Sequence, residues 1–313
     1  MGFIAYIFIA TCVAFFSMNA GAEVFVDKGV PYANGPKLVG ELAITVTTED
    51  SPRHVKAFFP LGEGDFPVIY YIGGLSSLVP SELYSIILSK IAAHGFFVFG
   101  VDYYFPADSV KQDGQGVGDA VDVYFREFNF LQKFMVNKTV GVPRWDLTGL
   151  LCHSAGCGDT LDMIEKNIFP FKATIFMEPY SQVVHANKTM AITVPALMYG
   201  TQLAEEGLPR CNVPGYDYLQ FYDVWKCPRI AIKVADFGHC DMLDPVGWEA
   251  CHLTHFCKTN NDTQLNHYRQ TVHGIVSGFF IATLQGYGQS IVYVQDVKNI
   301  PIKVLVSKND WNC

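Results

Sequence analysis

The sequence predicts an α/β fold on a mostly parallel central sheet of about eight strands, with helices on both of its faces. Short apolar runs alternate with segments of helical periodicity along most of the chain. The clearest run, Val68-Ile69-Tyr70-Tyr71-Ile72, is continuously apolar rather than alternating, as a parallel strand covered on both faces must be. It stops at Gly73-Gly74, a turn signal.

The elements follow in order. Phe3 to Phe16 is almost wholly apolar, and Ser17-Met18-Asn19 and Ala20-Gly21-Ala22 come after it, the pattern of a secretory signal peptide cleaved before Glu23. That run is short for a membrane span, and no later run reaches about 20 apolar residues. Residues 23–313 are therefore expected as one soluble, exported domain, since no linker, charge block or repeat divides them. Leu42 to Thr48 and His54 to Pro60 alternate as an antiparallel opening pair. From Ser81 to His94, Leu83, Ile87 and Ile91 fall on one helical face, and Gly95 caps it. Phe96 to Val101 is the next strand, Ala120 to Phe134 a long helix, and Leu147 to Leu151 the fifth strand. Beyond it lie the strands Thr174 to Met177, Ala196 to Tyr199 and Ile230 to Val234. A last helix gathers Val272, Ile275, Val276, Phe279 and Phe280 on one face.

Between the fifth strand and a helical segment stands Cys152-His153-Ser154-Ala155-Gly156-Cys157. A tight strand-to-helix turn flanked by small residues is a nucleophile elbow, a loose G-x-S-x-G with Cys152 at the first glycine. Two early strands, then alternating strands and helices, with the serine after the fifth strand, make the order of an α/β-hydrolase. A serine hydroxyl needs a general base, and the base an orienting carboxylate. Of nine histidines, only His239 lies just beyond the last core strand, in Gly238-His239-Cys240-Asp241-Met242-Leu243-Asp244. The acid is Glu178, at a strand end before the rigid Pro179, or else Glu205 or Glu206 after the next strand. Strand-end position favours Glu178. The oxyanion hole is expected from the N–H of Ala155 and that of Gly74 or Leu75. His153 beside the serine, and Phe105 and Tyr180 with Tyr103 and Tyr104 at strand ends, are expected to line the substrate pocket.

A formal charge of -8 gives nucleic acid and anionic lipid nothing to bind. Eight of the nine cysteines lie beyond residue 22, an even number that suggests disulfides in an exported chain. The same reasoning takes Cys251-His252-Leu253-Thr254-His255-Phe256-Cys257 as disulfide partners rather than a zinc site. No metal or organic cofactor is implied. Sequons at Asn137, Asn187 and Asn261 agree with a glycosylating secretory route.

The chain resembles the chlorophyllase family of α/β-hydrolases, whose elbow reads G-H-S-R-G-G and whose histidine lies in G-H-x-D-M-L-D. The second motif is matched in full by residues 238–244, and the similarity spans most of residues 55–285. The resemblance implies a serine carboxylic-ester hydrolase for a hydrophobic ester, chlorophyll in the family itself. It also places the acid at Glu178, because the family's acid precedes a proline after this strand. This chain departs at Ala155 for the family's arginine, at Cys152 for glycine, at Glu178 for aspartate and at Gly73-Gly74 for His-Gly. The alternatives are a lipase or cutinase-like esterase for acylglycerol or polymer esters, and a non-catalytic secreted binding protein on the same fold.

Overall fold

The structure, a computed structural model, describes residues 23–49, 51–102, 120–182, 184, 190, 192–207 and 209–313. The expected signal peptide, Phe105 with Tyr103 and Tyr104, and the Asn187 sequon lie outside these residues.

Among the described residues nine strands form one sheet: β1 (Val39–Ile44), β2 (His54–Pro60), β3 (Asp65–Ile72), β4 (Phe97–Asp102), β5 (Val142–His153), β6 (Ala173–Met177), β7 (Ala196–Thr201), β8 (Arg229–Val234) and β9 (Val304–Asp310). Their spatial order is β1-β2-β4-β3-β5-β6-β7-β8-β9. From β4 to β8 every neighbour is parallel, while β1, β2 and β9 run antiparallel at the two edges. This is the mostly parallel α/β-hydrolase architecture.

Continuous apolar strands serve two cores at once, because successive side chains point to opposite faces. Val68, Tyr70 and Ile72 of β3 join one core with Tyr124, Phe128, Leu161 and Phe221 from the helices Ala120–Phe134, Gly156–Lys166 and Tyr218–Val224. Ile69 and Tyr71 join the other, with Ile87 and Ile91 of helix Ser85–Ala93. The long helix Leu265–Thr283 lays Val272, Ile275, Val276, Phe279 and Phe280 into that second core. Among the described residues no helix is long and apolar enough to cross a membrane.

Two expectations shift. The opening strand is Val39–Ile44 rather than Leu42 to Thr48, because Ile44 reaches the core and Val46–Glu49 then turns helical. The ninth strand, β9, exceeds the expected number. Val304-Leu305-Val306-Ser307-Lys308-Asn309-Asp310 pairs with β8. An ion pair from Arg229 to Asp310 (2.8 Å) and the Cys227–Cys313 disulfide hold that edge.

Candidate active site

The parallel strands end together along one edge of the sheet, and β5 delivers Ser154 there. Its backbone is left-handed, with φ 56°, a conformation that costs an L-residue about 1–2 kcal/mol. Three hydrogen bonds hold it. The Ser154 N–H donates to the Met177 carbonyl (3.0 Å), and its own carbonyl accepts from Cys157 N–H and Tyr180 N–H (both 3.1 Å). The helix Gly156–Lys166 starts immediately afterwards. A Cβ at Gly156 would lie 2.2 Å from the Gly73 carbonyl oxygen, so only glycine lets this helix approach the β3 loop. Cys152 and Cys157, on either side of the turn, form a disulfide.

His239 sits in the segment after β8 and is buried. Its loop is organised by Asp241, whose carboxylate accepts from Gly238 N–H (2.7 Å), Asn260 N–H (2.9 Å) and the Trp248 indole N–H (3.0 Å). Burial nonetheless pushes the Asp241 carboxyl up to about 6. Asp244 ties the end of the same segment to helix Ser85–Ala93 by accepting from Ile86 N–H at 3.1 Å. Arg269 donates to the Leu243 carbonyl at 2.7 Å.

Glu178 follows β6, also left-handed at φ 47°, with its N–H donating to the Tyr199 carbonyl at 2.7 Å. Its side chain is fully buried, and Oε2 stands 3.5 Å from His239 Nδ1. Neither carboxylate oxygen has a hydrogen-bond partner among the described residues. Glu205 and Glu206 instead pair with Lys233 (2.6 Å) and Lys258 (2.7 Å). The structure thus brings Glu178, rather than either of them, to His239.

The loop after β3 carries three consecutive left-handed residues that are not glycine, Leu75, Ser76 and Ser77. Two tyrosines clamp it. The Tyr124 hydroxyl reaches the Ser76 carbonyl (3.2 Å) and Ser77 Oγ (3.0 Å), and Tyr84 Oη accepts the N–H of Gly74 at 3.2 Å. The N–H of Gly74 is therefore already engaged. Asp159, hydrogen-bonded to Ser76 and Tyr124, is pushed up to about 6 chiefly by burial. Neither tyrosine stood out in the sequence, and no local signal marked them.

His153 is buried, with Nδ1 2.8 Å from Tyr84 Oη. Burial and the neighbouring His239 hold its pKa well below the usual histidine range, so the ring is neutral at pH 7. Its centroid lies 4.4 Å from that of His239, which brings His239 against the residue next to Ser154. His153 lines a small apolar pocket with Tyr71, Leu151 and Met242. Tyr180 is half-buried beside the elbow and stacks on Tyr216 at 5.6 Å.

The eight cysteines beyond residue 22 all pair: 152–157, 211–257, 227–313 and 240–251. Cys251 and Cys257 thus enter different disulfides, and Cys240 fastens the His239 segment to helix Pro245–Thr254.

Comparison with known proteins agrees with this architecture. Chlorophyllase-2 of Arabidopsis thaliana is 23% identical over 282 residues, covering 81% of this chain and 85% of the relative. Chlorophyllase-1 of the same plant is 24% identical over 295 residues, covering 84% and 87%. The Chlorophyllase family model matches residues 30–310, and the chain belongs to the chlorophyllase family of esterase-type hydrolases.

Proposed function

We propose that the protein is a secreted serine hydrolase of hydrophobic carboxylic esters, with chlorophyll, cleaved to chlorophyllide and phytol, as the first substrate to test. The observation that carries this is the buried Glu178–His239 pair, 3.5 Å apart, beside the strained elbow of Ser154.

In this reading His239 takes the proton of Ser154 as Oγ attacks the ester carbonyl, and Glu178 stabilises the imidazolium that forms. A fully buried carboxylate 3.5 Å from the ring that becomes that imidazolium is suited to the role. Contacts of this kind are commonly long in the free enzyme and tighten around substrate. The tetrahedral oxyanion is received by the N–H of Ala155, at the start of helix Gly156–Lys166, and by that of Leu75. Leu75 is preferred to Gly74 because the Gly74 N–H already donates to Tyr84. His239 then protonates the leaving alcohol, and water hydrolyses the acyl-enzyme through the same base. Leu75 and Leu78, each 50% exposed, give the loop an apolar outer face suited to a hydrophobic ester. Four disulfides support an oxidising compartment. The exposed Asn137 and Asn261 are open to glycosylation there.

The test is an ester panel on purified protein: chlorophyll, triglycerides and short soluble esters, with Ser154→Ala as control. Turnover by the wild type that Ser154→Ala abolishes supports the reading. A fluorophosphonate probe that labels the wild type no better than Ser154→Ala overturns it.

A further inference from the structure

Two cysteines stand where the family's elbow pattern has glycine, and the structure joins them across the nucleophile. Cys152 is the penultimate residue of β5, in register with Ile72 of β3 and Phe176 of β6. Cys157 lies in the first turn of the helix that follows. Their Cα atoms are 5.1 Å apart, and the disulfide closes a ring over a separation of five residues. Small residues suit such positions because helix and strand nearly touch there. Here that proximity has become a covalent bond.

We infer that the Cys152–Cys157 disulfide is a positioning device for Ser154, holding the elbow in its reactive geometry rather than merely adding to global stability. This rests on the esterase reading above. The left-handed φ of Ser154 is disfavoured for any L-residue, and three backbone hydrogen bonds oppose its relaxation. Relaxation to an extended or right-handed turn would swing Oγ and change the span between strand end and helix start. The disulfide fixes that span.

The same bond sets where the helix begins. Gly156 lies against the Gly73 carbonyl, so the helix start is packed onto the loop that carries Leu75. A helix held by Cys157 keeps the Ala155 N–H at a constant place relative to that loop. Both sulfurs belong to fully buried residues, and Cys152 Sγ contacts the Ile175 carbonyl at 3.4 Å. Reductant cannot reach them in the folded protein, so the bond is a permanent brace and not a switch.

The experiment compares three mature proteins: wild type, Cys152→Ala/Cys157→Ala, and Cys227→Ala/Cys313→Ala. The last removes a remote disulfide at the β8–β9 edge. Each is measured for kcat and KM on a soluble ester and for its rate of fluorophosphonate labelling, below the melting temperature found by circular dichroism. The elbow variant is expected to lose ~10–100-fold in kcat and labelling rate with KM within about twofold, as misplacement of a reacting group by an ångström does. The remote variant should melt earlier yet keep its kcat. If the alanine pair does not fold, Cys152→Gly/Cys157→Gly, which restores the family's glycines, replaces it with the same expectation. An elbow variant within about twofold of wild type overturns the inference, as does an equal loss in the remote variant. A wild type that is not labelled at Ser154 overturns the esterase reading instead, and the inference with it.

Discussion

The hydroxyl of Tyr84 lies 2.8 Å from Nδ1 of His153 and accepts the N–H of Gly74 at 3.2 Å. One buried phenol therefore joins the loop after β3 to the residue preceding Ser154. Gly74 donates to the oxygen, and the phenol's own proton pairs with His153 Nδ1 or with the Tyr71 hydroxyl according to the His153 tautomer. Burial raises the Tyr84 pKa far above its usual range and keeps that proton in place.

Tyr84→Phe should strand two buried polar groups, the Gly74 N–H and His153 Nδ1, at about 1–3 kcal/mol for each. A drop of at least ~1 kcal/mol in urea-unfolding free energy is expected, with kcat down ~10-fold as the Leu75 N–H loses its support. Unchanged stability and turnover would show that the phenol only fills space.

Glu178→Gln keeps the shape of the side chain but removes its charge. Ester turnover should fall on the order of 10²–10⁴-fold, since an amide neither stabilises the imidazolium nor fixes its tautomer. Glu206→Gln should change turnover less than about twofold, because Glu206 is a solvent-exposed partner of Lys258. Loss confined to the second variant would move the acid to Glu206.

How much of this was legible in the sequence depended on how local each feature is. The segment Gly238 to Asp244 could be read because its logic is contiguous: Asp241 grips the N–H of Gly238 three residues back. Glu178 could be singled out because strand ends are visible in a run of apolar residues followed by proline. Tyr84 could not, for it meets His153 across 69 residues of chain and looks like one more core aromatic. The same holds for Tyr124 and the Ser76–Ser77 turn, 48 and 47 residues away. Disulfide pairing was equally hidden, since Cys227 and Cys313 are 86 residues apart. β9 escaped because an edge strand with one shielded face needs little apolar character: Val304 and Val306 are half-buried, and the rest of the strand is exposed.

Gly156→Ala tests the closest approach in the elbow. The new methyl group would sit 2.2 Å from the Gly73 carbonyl oxygen and 2.9 Å from Ile72 Cγ2, and the first of these is backbone that cannot rotate aside. The helix must retreat from β3, at about 1–3 kcal/mol of stability. Turnover should fall further than that cost implies, because the retreat displaces the Ala155 N–H. A variant with normal kcat and a normal melting temperature would show that the helix start has room the structure does not give it.

His273 sets a pH limit on stability. It is fully buried in helix Leu265–Thr283, stacks on His94 at 5.6 Å, and shares its Nε2 with the Ala33 carbonyl at 3.2 Å. Burial, reinforced by His94 and Lys90 and only partly offset by the Ala33 carbonyl, lowers its pKa from 6.5 to about 4. The unfolded chain takes up this proton near pH 6.5, while the folded chain refuses it until about pH 4. Between those values the unfolded state binds more protons, so stability falls as pH drops through the window and is at its full value above it. The shift corresponds to about 3 kcal/mol. His273→Gln retains an N–H for Ala33 and does not titrate. Urea unfolding at pH 7 and pH 4 should therefore show wild type losing about 3 kcal/mol more than the variant, and parallel losses would show that His273 takes its proton as readily folded as unfolded.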